Sequence, residues 1–217
     1  MSRDAVPVYG EWSLAIIVTL VFAILAFVFY RPKSGRDWWT FGAFTAFLAA
    51  LFAEMYGFPL TIYLLSGWPG PRLRLIESLP HEVERVLEMM FDWRSNSPFG
   101  FFQIASIVLI VGGFFLLAAA WSARHKAQQR GELARSGVYA RLRHPEYCAF
   151  VVIMIGFLLQ WPTLITLVMF PILAFFYVRL ARQEEGEALK RFGESYLRYQ
   201  VATPAFFPRI SALMLSA

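Results

Sequence analysis

Charge, cysteine and histidine are all scarce in this 217-residue chain, and each shortage removes a class of protein. Lys, Arg, Asp and Glu together make up 16% of the residues, where an ordinary soluble domain carries nearer a quarter. The single cysteine, Cys148, has no companion, which excludes a disulfide-stapled secreted scaffold. His81, His125 and His144 are the only histidines and lack metal-ligand spacing, so no metal is expected. The basic residues form no long stripe, and no nucleic-acid partner is expected. Gly67, Gly70, Gly112 and Gly113 lack the strand, turn and helix context of a phosphate loop, and no serine sits in a nucleophile elbow. A soluble dinucleotide-binding domain has no room.

What is present is apolar. Hydrophobic residues reach 58%, with 22 Phe, 9 Tyr and 7 Trp. Uncharged runs cover 12–30, 38–53, 55–71, 95–123 and 147–178, and a membrane span needs about 20 apolar residues. Such runs leave a soluble core no charges to turn toward water. The expected fold is all-α: a polytopic integral membrane protein with about five transmembrane helices, a C-terminal helical hairpin and a cytosolic tail helix.

Prolines, glycines and charges divide the runs. The first span is 12–30, closed by Arg31-Pro32 and read as retained because it lacks a basic start and a cleavage site. The second begins near Trp38. A straight helix from there to Pro71 would be about 50 Å long against a hydrocarbon core of about 30 Å, so a break is expected near Gly57 and Pro59. Residues 76–94 carry Ile76, Leu79, Val83, Val86, Leu87 and Met90 three and four apart, which predicts an amphipathic surface helix. The third span is 99–121, with Gly112 and Gly113 as a close-packing point. Trp161-Pro162 splits the last run into a hairpin of 145–160 and 163–180, and a charged helical segment continues to about Gln200. The chain reads as one membrane domain over 1–217, with N-terminal spans and an interfacial helix at 12–94 and a core at 99–217.

Loop charge sets the orientation. The 31–37 loop sums to +2, the 72–94 loop to −1, the 124–146 connector to +4 and the tail after 178 to +2. Positive-inside bias places the amino end outside and the connector and tail in the cytoplasm, the parity that five spans require.

Two polar clusters fall on that inner face. Gly137, Tyr139, Arg141, Arg143, His144, Pro145, Glu146 and Tyr147 stand at the mouth of the hairpin, and Arg179, Arg182, Glu184, Glu185 and Glu187 at its exit. A short hairpin joins its two ends and so makes one pocket from distant segments. Pro145 suits a first helical turn, which puts the His144 imidazole beside free backbone N–H groups and predicts a neutral ring. An interfacial histidine is the alternative, and Arg143 equally suits a headgroup anchor. Glu184 and Glu185 are about 100° apart on a helix and cannot face one ligand atom; a solvated helix face with ordinary ion pairs is their other reading. Tyr139, Tyr147, Tyr196 and Tyr199 suit either a cation-binding cage or an aromatic belt. Glu54, flanked by apolar runs, is costly in a membrane unless it is paired or in a cavity.

Gly137-Val138-Tyr139, Arg143-His144-Pro145-Glu146-Tyr147, then Glu184-Glu185, Leu189, Phe192-Gly193, Tyr196, Tyr199, Pro204 and Pro208 resemble the isoprenylcysteine carboxyl methyltransferase and phospholipid methyltransferase superfamily. The resemblance covers roughly 137–208. It implies that S-adenosyl-L-methionine is bound without a Rossmann domain, in a cytosolic-facing cavity. Tyr139, Arg143, His144, Pro145 and Tyr147 match its first cofactor-binding motif, and Glu184 and Glu185 its second. Val138 stands where the family often has proline. The implied reaction is methyl transfer to a lipid or prenylated small substrate drawn from the membrane. A prenylcysteine-like carboxylate needs no base, and Arg143, Arg179 and Arg182 are the cations that would orient it. A phospholipid amine would need a base such as His144. A nicotinamide-dependent membrane reductase and a non-catalytic membrane protein are the other classes. The short chain suits a bacterial inner membrane.

Overall fold

Caps, prolines and glycines mark several of the helix ends. The computed structural model describes residues 10–32, 34–58, 60 and 101–207. Every regular element among them is helical: α1 (Trp12–Tyr30), α2 (Gly35–Phe52) with a terminal π-helical turn (Ala53–Gly57), α3 (Phe101–Arg130), a 3-10 turn (Gly137–Ala140), α4 (Pro145–Gln160), α5 (Leu164–Phe192) and α6 (Glu194–Ala202). The surface helix expected over 76–94 lies outside the described residues.

α2 starts earlier than Trp38 because Ser34 and Asp37 form a reciprocal capping box. The Ser34 hydroxyl accepts from the Asp37 N–H, and the Asp37 carboxylate accepts from the Ser34 N–H. The far end breaks at Gly57, as the length argument requires. In the π turn the Phe58 N–H donates to the Ala53 carbonyl, while the Tyr56 carbonyl accepts from the N–H groups of Gly10 and Glu11 just before α1. A Cβ on Gly57 would lie 2.7 Å from the Trp12 ring, so only glycine permits that closure. Glu54 is buried in this turn, at the end of α2 opposite Arg36.

Trp161-Pro162 separates α4 from α5, and Thr163 caps the latter by accepting from the Thr166 N–H. α5 does not stop at 180 as expected. It runs on through the charged segment to Phe192 and ends at Gly193, whose φ of 55° and ψ of −130° belong to glycine. α3 likewise continues past Trp121 to Arg130. Two helices thus project well beyond their apolar portions, and that projection builds the site.

α1, α2 with its π turn, α3 and α5 are long and apolar enough to cross a membrane. α4 has 16 residues, about 24 Å, short of a core of about 30 Å. It packs closely along α3 instead. A Cβ on Gly113 would lie 2.5 Å from Ile153, and one on Gly156 would lie 2.7 Å from Ile110. Small residues let the two backbones approach, which is how helices gain contact where lipid removes the hydrophobic drive. Gly112, the other half of the predicted close-packing pair, meets nothing within 4 Å. Ser106 on α3 donates to Gln160 on α4 at 3.0 Å, satisfying both polar groups.

The interior between helices is largely aromatic. Phe22 stacks on Phe52 and Phe114 and meets Phe157 edge-on, while Phe44 and Phe150 pack at 4.8 Å beside Tyr177. Ile17, Val21 and Ile24 on α1, Val108 and Phe115 on α3, and Ile172 and Phe175 on α5 are exposed. Those apolar faces are suited to lipid rather than water.

Candidate active site

One end of the bundle gathers the start of α2, the ends of α1 and α3, the start of α4 and the projecting part of α5. Pro145 occupies the first turn of α4 with His144 as its N-cap residue. The chain before it is held in place by the C-terminal segment: the N–H of Arg143 donates to the Pro204 carbonyl and that of His144 to Ala205. Phe206 stacks on the imidazole at 5.6 Å. These contacts aim the ring at α5.

There the two glutamates straddle it. His144 Nε2 lies 3.0 Å from Glu185 Oε1, and His144 Nδ1 lies 3.6 Å from Glu184 Oε2. Arg143 Nη1 is 2.8 Å from the same Glu185 oxygen. The angular separation of neighbouring helical residues lets each carboxylate address a different ring nitrogen. Burial opposes charge on the ring, but hydrogen bonds and attraction from Glu184 and Glu185 together raise the His144 pKa above its ordinary 6.5. The shift thus runs opposite to the one expected from the helix terminus. The helix-terminal field is present, but two nearby carboxylates outweigh it.

Beneath this cluster lies a second polar network that the sequence did not announce. Arg124 on α3 donates from Nη1 to Glu146 at 3.0 Å and from Nη2 to Asp37 at 3.3 Å. Both carboxylates are buried. The Tyr30 hydroxyl reaches Asp37 at 3.5 Å. One planar guanidinium therefore ties α2, α3 and α4 together directly below His144. Asp37 and Arg124 read as ordinary loop charges in sequence; the Ser34-x-x-Asp37 capping pattern was the only hint that Asp37 is ordered.

A cavity of about 260 Å³ opens beside these groups, its polar wall formed by Arg36, Arg124, Arg143, His144, Glu146 and Glu184 and its aromatic wall by Tyr139, Phe192, Tyr196 and Tyr199. The Tyr199 hydroxyl donates to the Tyr139 carbonyl at 2.7 Å, joining α6 to the connector. Burial raises the Tyr139 phenol well above its ordinary pKa, so that ring stays neutral. Leu133 and Phe192 also line a neighbouring cleft of about 630 Å³ whose rim carries Lys126, Arg130 and Arg135.

The structure brings together Tyr139, Arg143, His144, Glu184 and Glu185. Pro145 supports His144 from within the helix. Tyr147 is buried behind the imidazole, stacked on Tyr177 at 5.6 Å, and does not line the cavity. Arg179 and Arg182 are exposed on α5 and also lie off the cavity wall. Arg36, Arg124, Arg191 and Glu187 line it instead. Glu187 and Arg191 belong to the charged segment at the hairpin exit, whereas Arg36 and Arg124 carry no signal in the sequence, because their positions come from how α2, α3 and α5 meet.

A bundle of long apolar helices with a charged, aromatic-walled cavity at one end defines a polytopic membrane protein with a solvent-facing polar site. The model of the isoprenylcysteine carboxyl methyltransferase (ICMT) family matches residues 99–190. The chain is thus isoprenylcysteine carboxyl methyltransferase-like from α3 through nearly all of α5. No curated protein and no solved structure matches it.

Proposed function

We propose that this protein transfers a methyl group from S-adenosyl-L-methionine to a membrane-embedded acceptor, a lipid or prenylcysteine-like carboxylate. The observation that carries the reading is the meeting of Arg143 and His144 with Glu184 and Glu185 beside a cavity, from segments 41 residues apart. Both segments lie within the family match.

The residues fit the cofactor's chemistry. Its amino-acid end needs one anionic and one cationic partner, and the wall offers glutamates beside arginines. Its adenosyl end needs flat apolar surface, and Tyr139, Phe192, Tyr196 and Tyr199 supply rings. The cavity alone is near the lower limit of small-molecule sites, and the adjoining cleft extends it past Phe192. When bound, S-adenosyl-L-methionine supplies an electrophilic methyl on a positively charged sulfur. The protein's own contribution is alignment and exclusion of water. Glu184 on the cavity wall holds a cationic group, Glu185 behind it fixes Arg143 and His144, and the tyrosine rings flank the site.

A carboxylate acceptor needs no base. The two carboxylates facing His144 favour its charged form, which leaves less of the neutral ring to take a proton from an amine acceptor. Arg179 and Arg182, exposed along α5 and off the cavity wall, are the cations assigned to an anionic acceptor arriving from the membrane. The positive charge of the connector and tail supports a cytoplasmic-side cavity with the amino end outside, in what we read as a bacterial inner membrane.

The test is equilibrium binding of S-adenosylhomocysteine to the purified protein in detergent, followed by transfer of labelled methyl to prenylcysteine and phospholipid acceptors. Micromolar binding and a base-labile methyl ester are expected. Absence of binding overturns the reading; an N-methyl lipid as sole product overturns the carboxylate.

A further inference from the structure

Arg36 lies in the first turn of α2, outside the segment matched by the family. Its guanidinium grips Glu187 with both terminal nitrogens, Nη1 to Oε1 at 2.9 Å and Nη2 to Oε2 at 2.6 Å. This is the two-pronged geometry by which arginine recognises a carboxylate. The pair is asymmetric. The Arg36 side chain is 22% exposed and the Glu187 side chain 64%, so Glu187 can swing into water at little cost while Arg36 stays against the wall. An exposed ion pair contributes only about 0–1 kcal/mol. The third nitrogen, Arg36 Nε, is buried without a hydrogen bond, and Glu184 Oε1 stands 3.8 Å from it.

We infer that Arg36 is the receptor for the carboxylate of a zwitterionic α-amino-acid group, with Glu187 as its stand-in when no ligand is present. A cationic fork and a carboxylate side by side complement the carboxylate and ammonium borne on one α-carbon. Arg36 takes the first, displacing Glu187, and Glu184 takes the second beside His144. This assignment rests on the proposed use of S-adenosyl-L-methionine, whose methionine end is such a group. It adds that the N-terminal half of the chain supplies part of the binding site.

Two probes separate the inference from the reading beneath it: S-adenosylhomocysteine, which carries the amino-acid end, and 5′-methylthioadenosine, which lacks it. Binding is measured by calorimetry on the full-length protein. The wild type is expected to prefer S-adenosylhomocysteine. Arg36→Gln should weaken that ligand by about 10-fold or more, as for a lost charge-assisted hydrogen bond, while changing methylthioadenosine by less than about 2-fold. Glu187→Gln, which removes the competing charge but keeps Arg36, should tighten S-adenosylhomocysteine alone. If Arg36→Gln does not fold, the Glu187→Gln result decides, and unchanged affinity there overturns the inference. Equal binding of both probes by the wild type, or a preference that survives Arg36→Gln, overturns it while leaving the cofactor reading intact. Binding of neither probe by the wild type overturns both.

Discussion

His144 Nε2 lies 3.0 Å from Glu185 Oε1, across 41 positions of sequence and an entire helical hairpin. Neither residue is near the other along the chain. The contact exists because α5 runs past its apolar portion as one unbroken helix and carries the glutamates back to the level of the α4 N-terminus. Glu185 also receives Arg143 at 2.8 Å, so one carboxylate organises two cations.

Replacing that carboxylate should therefore disturb the site more than the fold. Glu185→Gln keeps the shape of the side chain but removes the charge facing Arg143 and His144. The expected loss is roughly 1.5–3 kcal/mol of S-adenosylhomocysteine binding, read by calorimetry, with a melting temperature close to wild type. An unaltered affinity would place the cofactor elsewhere.

The same pairing makes the His144 contribution depend on pH. In the unfolded chain the ring titrates near 6.5, and in the folded protein above it. Below 6.5 the ring is protonated in both states, and the stabilisation from its carboxylate partners is fully present. As pH rises through the folded value the ring loses its charge and the stabilisation fades. The stability difference between wild type and His144→Gln should be largest in mildly acid buffer and shrink on the alkaline side. Thermal unfolding across that range, with the imidazole titrated by NMR, checks the sign.

Arg124 is expected to matter most for stability. Its removal in Arg124→Met leaves the buried Asp37 and Glu146 without the cation between them, and breaking such a pair costs roughly 3–5 kcal/mol. Arg124→Lys should recover only part of this, because an ammonium lacks the planar fork that spans two carboxylates. Chemical unfolding in detergent would measure both. A variant with methionine at 124 as stable as wild type would show the network to be dispensable.

The close approach of α3 and α4, where Gly113 meets Ile153 and Gly156 meets Ile110, predicts a contrast with Gly112. Gly156→Ala places a Cβ 2.7 Å from Ile110 Cγ1 and 3.1 Å from backbone atoms of Ile110 and Ser106. Overpacking of this kind costs about 1–3 kcal/mol. Gly112→Ala meets nothing within 4 Å and should be neutral or slightly stabilising through helix propensity. Equal melting temperatures for the two variants would contradict the packing described.

Much of the architecture was legible because lipid imposes length. Uncharged runs, the Trp161-Pro162 break and the Gly57 break all emerged from counting residues against membrane thickness. The helix ends were less legible. No proline or glycine marks the change from apolar to charged sequence at 124 and 179 in α3 and α5, so both helices run on through it and the length of their projection depends on what they pack against. The motif residues Arg143, His144, Glu184 and Glu185 were identified, yet their mutual pairing was not, and a ring expected to be neutral meets two carboxylates. Arg36, Asp37 and Arg124 were invisible as site residues, since each looks like an ordinary surface charge until α1, α2 and α3 meet.

Sequence alone determined that this chain is helical, lies in a membrane and folds back on itself at Pro162, because apolar run length and proline chemistry act locally and leave few options. Tertiary structure decided which charges face one another. Placing α2 beside the projecting part of α5 is a packing outcome among distant segments, and it turns scattered surface ions into a cavity wall with matched signs.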